Sequence, residues 1–447
     1  MFSLKTGFPF VIACGALLAN APRSQTTTPC VPEERVELEP FDGTAQNRFG
    51  WAVALDGRTL VAGADEDGEF GALAGAAYVF ERTGPTNLAW VEIAKLTASD
   101  AAAGDMSGFS VALSDDFAAA GASMSDAAGL DSGAVYLFER DLGGTNAWGE
   151  RKKLVGSDTK AGDLFGWSVS LSGDVLVVGA LMGSTNQTGA AYVFERDLGG
   201  PDNWGQRKKL VATDATMDDR FGRAVSVDGD LVLVTADGND DAGSSSGSAY
   251  VFGRNIGGTN NWGQGKKLTA SDPTAVDHFG IDGALSGDTI VIGAHLEDTG
   301  GLDSGSAYVF ERNLAGTNNW GEEKKLVASD SMPGNRFGRA VSIAGDWIAV
   351  GAFASPVAGT SAGEAYVFER DLGGAASWGE VTALLASDGA TGDNFGWDVA
   401  ASPRLFAIGA PKDGALNLLA GSVYLFACDL KTAIPNGGPR GPVQKTL

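Results

Sequence analysis

Histidine and cysteine are scarce in this sequence, which holds only 2 His and 3 Cys among 447 residues. The two imidazoles, His278 and His295, have no recognisable nucleophile partner in the sequence. Neither a His/Cys cluster with zinc-ligand spacing nor a phosphate-binding Gly-Lys loop is present. Residues 243–247 fit G-x-S-x-G, but that motif requires a strand-to-helix turn and these residues lie in a predicted loop. The scarcity argues against zinc chemistry and against a His-activated nucleophile.

Basic residues are also few. The chain has 32 Lys and Arg against 56 Asp and Glu, a net charge of -24. Such a surface repels nucleic acid and anionic lipid, and it attracts cations and basic partners. We therefore expect no nucleic-acid partner. Carboxylates are so common here that a pair of them is no indication of acid–base catalysis.

Long apolar runs are confined to the N-terminus. Residues 1–21 have one Lys, an apolar run from about Phe8 to Leu18 and a small-residue ending, which is the layout of a secretory signal peptide. The run is too short for a transmembrane anchor. A lipobox-like Val-Ile-Ala-Cys ending at Cys14 makes a lipoprotein signal the alternative. We predict export, with a linker at 22–33, a folded region at 34–428 and a disordered tail at 429–447.

Sustained helical periodicity is absent, and a repeat of short apolar segments takes its place. A shared glycine recurs at steps of 58, 58, 56, 58, 58 and 58 residues, and a second glycine follows thirteen residues later, replaced by Thr235 in the fourth copy. The shared glycines are Gly50, Gly108, Gly166, Gly222, Gly280, Gly338 and Gly396. Seven copies in one register predict seven similar structural units.

Each copy predicts four antiparallel strands joined by tight turns, at 339–343, 346–352, 364–370 and 381–387 in the sixth copy. The first strand has a bulky face, as at Trp51, and a small face, as at Ala52. We expect the bulky face of one sheet to nest on the small face of the next, with small residues nearest a central axis. The predicted fold is all-β, a seven-bladed β-propeller.

The two ends of the chain are predicted to meet in one blade. The last copy lacks its fourth strand, and Leu38 near the N-terminus is in register with Leu326 of a fourth strand. Residues 34–41 would then complete the seventh blade and remove the exposed strand edges. The same register places Cys30 beside Cys428 and predicts a disulfide, with two unpaired thiols as the alternative.

The stretches FGWSVSLSGDVLVVGA (165–180) and GAAYVFER (189–196) resemble the FG-GAP repeat of integrin α-subunit propellers. The resemblance covers about residues 34–428 and looks most like a bacterial branch whose copies end in Trp-Gly and a KKL strand. It implies adhesion, ligand binding or scaffolding. Many integrin-type repeats carry a calcium loop between the two glycines, but a spacing of thirteen leaves room here only for a tight turn. The calcium sites of the family are therefore not carried over.

Ligand recognition is predicted on the loops between the second and third strands, because these loops vary from copy to copy. They lie on the same predicted face as the loops that lead from each copy into the next. The candidate ligand-binding residues are Asp65, Asp67, Asp126, Asp131, Asp237, Asn239, Asp241, Glu297, Asp298 and Asp303. Some have the alternate spacing that suits Ca²⁺, yet none forms a full ligand set. We predict no metal or cofactor, with Ca²⁺ as the alternative.

Three recurring positions are predicted to serve the scaffold, because they recur in the blades without change of type. They are an Asp eight residues before the shared glycine, an Asp or Asn three before it, and a Trp that precedes the fourth strand. The alternatives are cation binding by the acids and sugar stacking by the Trp. The function predicted is an exported, non-catalytic binding or surface-interaction module for a protein or glycan ligand. A glycan-cleaving propeller enzyme and a purely structural envelope protein are the alternatives.

Overall fold

The repeat folds into seven four-stranded antiparallel sheets. The computed structural model describes residues 30–428 apart from 85–88, 146, 376 and 415–418, and this part of the chain holds 28 strands and one short 3-10 helix, Thr185–Gln187. The second and third strands of each sheet are rich in Val, Ile, Tyr and Ala and are buried almost throughout, while the fourth strand buries mainly its last residue. No helix among the described residues is long and apolar enough to cross a membrane.

The blades follow the sequence copies in order. Blades 1 to 3 comprise β2 (Ala52–Asp56), β3 (Thr59–Ala64), β4 (Ala76–Arg82), β5 (Trp90–Leu96); β6 (Ser107–Ser114), β7 (Phe117–Ala122), β8 (Ala134–Glu139), β9 (Gly149–Leu154); β10 (Phe165–Ser172), β11 (Val175–Ala180), β12 (Ala190–Glu195), β13 (Gly205–Leu210). Blades 4 and 5 comprise β14 (Val225–Asp228), β15 (Leu231–Ala236), β16 (Ser248–Gly253), β17 (Gly263–Leu268); β18 (Gly283–Ser286), β19 (Thr289–Ala294), β20 (Ser306–Glu311), β21 (Gly321–Leu326). Blades 6 and 7 comprise β22 (Ala340–Ala344), β23 (Trp347–Ala352), β24 (Glu364–Arg370), β25 (Trp378–Leu384); β26 (Val399–Ser402), β27 (Leu405–Ala410), β28 (Ser422–Ala427), β1 (Glu33–Leu38).

The ring closes through the N-terminal strand, as predicted. β1 pairs antiparallel with β28, and Glu37 lies opposite Tyr424. The carboxylate of Glu34 accepts hydrogen bonds from the backbone N–H and the hydroxyl of Ser387 at 2.9 and 2.8 Å. Glu380 of blade 6 receives the same pair of bonds from Ser329. The N-terminal strand therefore takes the place of the fourth strand in blade 7.

The hydrophobic core lies between the blades. Seven clusters of buried residues in the described chain each combine side chains of two neighbouring blades. One of them joins Leu425 of blade 7 to Leu60 and Tyr78 of blade 1. Because each blade buries both faces against its neighbours, no blade has a core of its own, and the stability of the ring depends on closure.

The paired glycines mark the closest approach between blades. A Cβ on Gly409 of blade 7 would overlap the carbonyl oxygen of Gly50 in blade 1, and Gly50 has a φ of 85°. The same overlap relates Gly63 to Gly108. A side chain at these positions would push the inner strands apart, which explains why both glycines recur at a fixed spacing.

The predicted bounds of one strand are wrong. The fourth strand of blade 6 runs from Trp378 to Leu384 rather than from 381 to 387, and its pairing with β24 passes a bulge at Val381. Bulky and small residues of the inner strands both line the axis: Trp51 and Phe109 contact each other there, and Ala52 and Ser110 lie beside them. The small side faces the next blade, where the hydroxyl of Ser110 donates to the carbonyl of Gly166 at 2.9 Å. The close glycine contact leaves no space for a large side chain on that side.

Candidate binding site at the propeller axis

The predicted acidic residues are placed on one face but not in one site. The loops before each inner strand contact the preceding blade's loop between second and third strands, as in the bridge between Gly75 and Ser107, so both loop sets share a face. Most of these acids form hydrogen bonds or ion pairs with residues of their own blade. Asp67 is buried and accepts hydrogen bonds from Tyr78 at 2.8 Å and Asn47 at 2.9 Å.

The remaining loop acids behave in the same way. Asn239 accepts from the hydroxyl of Ser248, Asp241 pairs with a Lys of β17, and Glu297 accepts from Lys325 at 2.9 Å. The other four candidates form hydrogen bonds within their loops. The backbone N–H of Asp131 donates to Asp126 at 2.9 Å, and that of Asp303 donates to Asp298 at 2.8 Å. Only two candidates, Asp65 and Asp237, lie next to the side chains of the axis.

The recurring acids and Trp residues are part of the scaffold. In six blades the Asp eight residues before the shared glycine accepts a hydrogen bond from a Tyr of the third strand. In five blades a Lys of the fourth strand pairs with this Asp. Burial opposes ionisation of Asp42, but the hydrogen bonds from Lys95 and Tyr78 outweigh it and lower its pKa. Trp204 and Trp262 are almost completely buried, which leaves them no surface for stacking a sugar.

Blade 7 departs from this scaffold, because Glu37 stands where the Lys stands in five other blades. Glu37, Asp388 and Asp413 bring carboxylate oxygens within 4.8 Å of one another. Burial and the charges of the two Asp raise the pKa of Glu37 to about 7, against an opposing hydrogen bond from Ser422. This is the group of acids in the described chain that could hold a cation.

A pocket of about 520 Å³ lies on the axis, where the inner strands begin. The residue directly after each shared glycine points to it, and these seven residues are Trp51, Phe109, Trp167, Arg223, Ile281, Arg339 and Trp397. Four aromatic rings from blades 7, 1, 2 and 3 form a continuous arc, with centroid separations of 4.6, 5.8 and 4.7 Å. Arginines from blades 4 and 6 close the ring on the other side.

The two arginines stack on the ends of the aromatic arc. The guanidinium of Arg223 lies 5.3 Å from the ring centroid of Trp167, and that of Arg339 lies 4.6 Å from Trp397. Burial and the nearby Arg223 lower the pKa of Arg339 to about 10, so it stays charged at neutral pH. Cation–π contacts of this kind hold each guanidinium against its ring and leave its edge available to a ligand.

Two carboxyl groups lie at the level below the arginines. Asp398 accepts a hydrogen bond from the backbone N–H of Val53 at 2.7 Å, and Asp282 accepts from that of Val341 at 2.8 Å. Burial and repulsion by Asp282 raise the pKa of Asp398 to about 7, although Arg339 opposes the shift. Burial also raises the pKa of Asp282. At neutral pH Asp398 is therefore only partly ionised.

A side chamber of about 400 Å³ adjoins the axial pocket and shares Trp167, Arg223 and Ile281 with it. Asp237 is 1% exposed there, and its Oδ2 lies 3.3 Å from both Arg220 and His278. These partners, together with Arg223, lower the pKa of Asp237 against the effect of burial. The ring of His295 lies 5.8 Å from that of His278, and burial holds the pKa of His295 well below its usual value, so it is neutral.

The comparison with known families identifies the repeat. The FG-GAP repeat profile matches seven segments, 33–80, 90–138, 148–194, 204–252, 262–310, 320–368 and 378–426. The chain belongs to the FG-GAP repeat family. The seven matches cover the same copies that the glycine spacing predicts, and membership supports a binding or structural module at that coarse level. No curated protein matches the FG-GAP chain.

Solved structures resemble this FG-GAP propeller in fold alone. A chain of the mitotic checkpoint complex is 10% identical with a TM-score of 0.53, over 94% of this chain and 98% of that one. The WD40 β-propeller domain of Doa1 is 10% identical with a TM-score of 0.50, over 89% of this chain and 97% of that one. At such identity the likeness carries no information on ligands.

The FG-GAP pattern itself contained an unused signal for the axial pocket. Read down the seven copies, the position after the shared glycine changes from Trp and Phe to Arg, Ile and Arg, while the glycine is constant. Taken alone, its first three members, Trp51, Phe109 and Trp167, indicate only the bulky face of a strand. Only a closed ring brings all seven together, so the loss of symmetry at this position marks a site once closure is established.

Proposed function

We propose that this protein is an exported, non-catalytic binding module whose recognition site is the axial pocket. One observation carries the proposal. Where the seven side chains that follow the shared glycines converge on the axis, the copies differ in residue type and combine four aromatic rings with two arginines. A scaffold position keeps one residue type, as the Asp and Trp positions do, whereas a binding site needs different groups at different places.

The setting of the pocket supports the same proposal. Its volume of about 520 Å³ falls in the usual range of small-ligand sites, about 300 to 1,000 Å³. It combines an apolar wall with a few convergent polar groups, as such sites do. Residues 181–182 and 295–296, which line the side chamber, belong to the variable loops between second and third strands. Ligand recognition on that face is consistent with the sequence-based expectation, although of the predicted acids only Asp237 lines the side chamber.

The test is a binding screen that includes turnover. Wild-type protein and the variants Trp397→Ala and Arg339→Ala are applied to arrayed glycans, peptides and small anions. Asp115→Asn, at an exposed turn between the inner strands of blade 2, is the matched control. We expect a ligand that the wild type and the control retain and that both axial variants lose. Retention by the axial variants would refute the axial site.

The same screen decides between binding and catalysis. The carboxyls of Asp282 and Asp398 accept backbone hydrogen bonds, a role that agrees with a structural part in the pocket. Product formation from any arrayed glycan, lost in Asp398→Asn, would favour the glycan-cleaving enzyme instead. For export, we expect N-terminal sequencing of protein recovered from the culture medium to begin at Pro22. Recovery only in a lipid-modified form would favour the lipoprotein signal at Cys14.

A further inference from the structure

We propose that the ligand of the axial pocket is a neutral saccharide unit. The inference rests on the proposed function and specifies its ligand class. It follows from three properties of the pocket: unpaired polar atoms of both kinds, a balance of charge, and an aromatic arc.

The first property is a set of buried polar atoms without hydrogen-bond partners in the described part of the chain. They are Oδ1 of Asp237, Nε of Arg223 and Nδ1 of His295, and all three residues line the side chamber. Asp237 Oδ1 needs a donor, while Arg223 Nε needs an acceptor, since its contact with Asp237 Oδ2 spans 3.9 Å. Buried polar groups in folded proteins nearly always have partners, and a buried atom left without one costs about 1 to 3 kcal/mol. A ligand that fits this chamber must therefore both donate and accept.

A hydroxyl group meets that requirement, and an anion that lacks an O–H or N–H donor does not. Each sugar hydroxyl has one O–H donor and two acceptor lone pairs, so neighbouring hydroxyls can bond to Asp237 and Arg223 together. Phosphate at high ionisation and acetate are acceptors only. They would satisfy Arg223 but face the carboxylate of Asp237, whose pKa is lowered and which is therefore ionised.

The second property is the charge of the lining. The axial pocket and its side chamber are lined by three guanidinium groups, Arg220, Arg223 and Arg339, and by three carboxyl groups, Asp237, Asp282 and Asp398. The carboxyl groups offset much of the guanidinium charge, and the raised pKa values of Asp398 and Asp282 leave a small positive excess. In a chain of net charge -24 this is a region of little net charge. A strongly charged ligand of either sign would meet repulsion from half of the lining.

The third property is the arc of Trp397, Trp51, Phe109 and Trp167, which is half-buried and faces the pocket. The face of an aromatic ring is the negative part of its quadrupole, and it attracts the weakly positive C–H groups on one side of a pyranose ring. A cationic group could also stack on the faces of these aromatic rings. Here arginines already stack on both ends of the arc, and Arg48 lies 3.9 Å from the ring centroid of Trp51, so a further cation would be repelled.

The experiment titrates the full-length protein with five neutral sugars: D-glucose, D-galactose, D-mannose, L-fucose and N-acetyl-D-glucosamine. Tryptophan fluorescence and calorimetry report binding, and inorganic phosphate, acetate and D-glucuronate are measured in parallel. We expect at least one neutral sugar to saturate the protein, and Asp237→Ala to weaken its affinity by about tenfold or more, the loss of one buried hydrogen bond. Trp397→Leu should weaken it as well, and Asp115→Asn should leave it unchanged. Thermal unfolding of each variant shows whether it is folded.

The outcomes separate this inference from the proposed function. If only phosphate, acetate or glucuronate binds and Trp397→Leu abolishes that binding, the saccharide inference is overturned while the axial site stands. If a sugar binds equally well to Asp237→Ala and Trp397→Leu, both are overturned. If all five sugars leave fluorescence and heat unchanged, the saccharide inference is overturned, and the array screen decides the axial site.

Discussion

Replacing Asp398 by Asn should stabilise the propeller, and more so as the pH rises. The carboxyl of Asp398 has a pKa raised from 3.8 to about 7 in the folded protein, through burial and then the charge of Asp282. A raised pKa means that the folded state holds a proton that the unfolded chain has released. The contribution of Asp398 to the free energy of unfolding is therefore fully present below about pH 4. It decreases as the pH rises toward 7 and changes no further above that pH.

The size of the effect follows from the shift. About three pKa units at about 1.4 kcal/mol each give an upper limit of about 4 kcal/mol. Asp398 is half-buried beside a solvent-accessible pocket, so we take about 2 kcal/mol as the expected value after screening. Asn keeps the oxygen that accepts from Val53 N–H at 2.7 Å, and it cannot ionise. The variant therefore removes the charge with little change in shape.

Urea unfolding of wild type and Asp398→Asn at five pH values from 4.5 to 8.5, at constant ionic strength, measures the difference. We expect an advantage for the variant of about 1 kcal/mol at pH 4.5, because this pH already lies above the unfolded pKa of 3.8, and of about 2 kcal/mol at pH 8.5. Asp115→Asn, at an exposed position, controls for a general loss of negative charge. A difference that stays flat across the pH range, or that runs the other way, would refute the reasoning about the buried carboxyl.

Three further predictions concern ring closure. Glu37→Lys restores the Lys–Asp pair of five other blades. Because burial and the nearby carboxylates raise the pKa of Glu37 to about 7, the variant should raise the free energy of unfolding at pH 8 by about 1 kcal/mol after discounting for exposure. Ala383→Lys in blade 6 removes no carboxylate and should give a smaller gain; an equal gain would count against repulsion at Glu37. Gly409→Ala should overlap the carbonyl of the neighbouring blade and lower Tm by several degrees, and an unchanged Tm would show that the glycine contact is dispensable. Cys428 donates to the carbonyl of Cys30 at 3.2 Å as a free thiol, and the disulfide between them stays a prediction. Thiol titration of exported protein checks it, and a full count of free thiols would rule the bond out. If the bond forms, Cys428→Ser should lower Tm.

Periodicity was sufficient to predict the fold. The glycine spacing predicted seven blades, and the orphan strand around Leu38 predicted how the ring closes, because both depend on backbone contacts that every copy repeats. The loop acids were harder to interpret. Asp67 and Glu297 looked like exposed ligands in the sequence, yet Lys95 and Lys325 reach them from a strand 28 residues later. The signal peptide and the C-terminal tail lie outside the described residues, and both stay predictions.

The axial pocket shows why the binding site of a repeat protein is not evident from one copy of the repeat. A position that contacts only a neighbouring blade is under a similar constraint in each copy and therefore keeps one residue type, as the shared glycines do. The residue after the shared glycine contacts its own counterparts around the axis as well as the next blade, as Trp51 contacts both Phe109 and Trp397. It is therefore free to differ between copies wherever the axis is open. Arg223 and Arg339 occupy such positions, where burial lowers their pKa. A pair of buried cations placed only for packing would be replaced at little cost by apolar residues, and a ligand is the reason that we infer for keeping them.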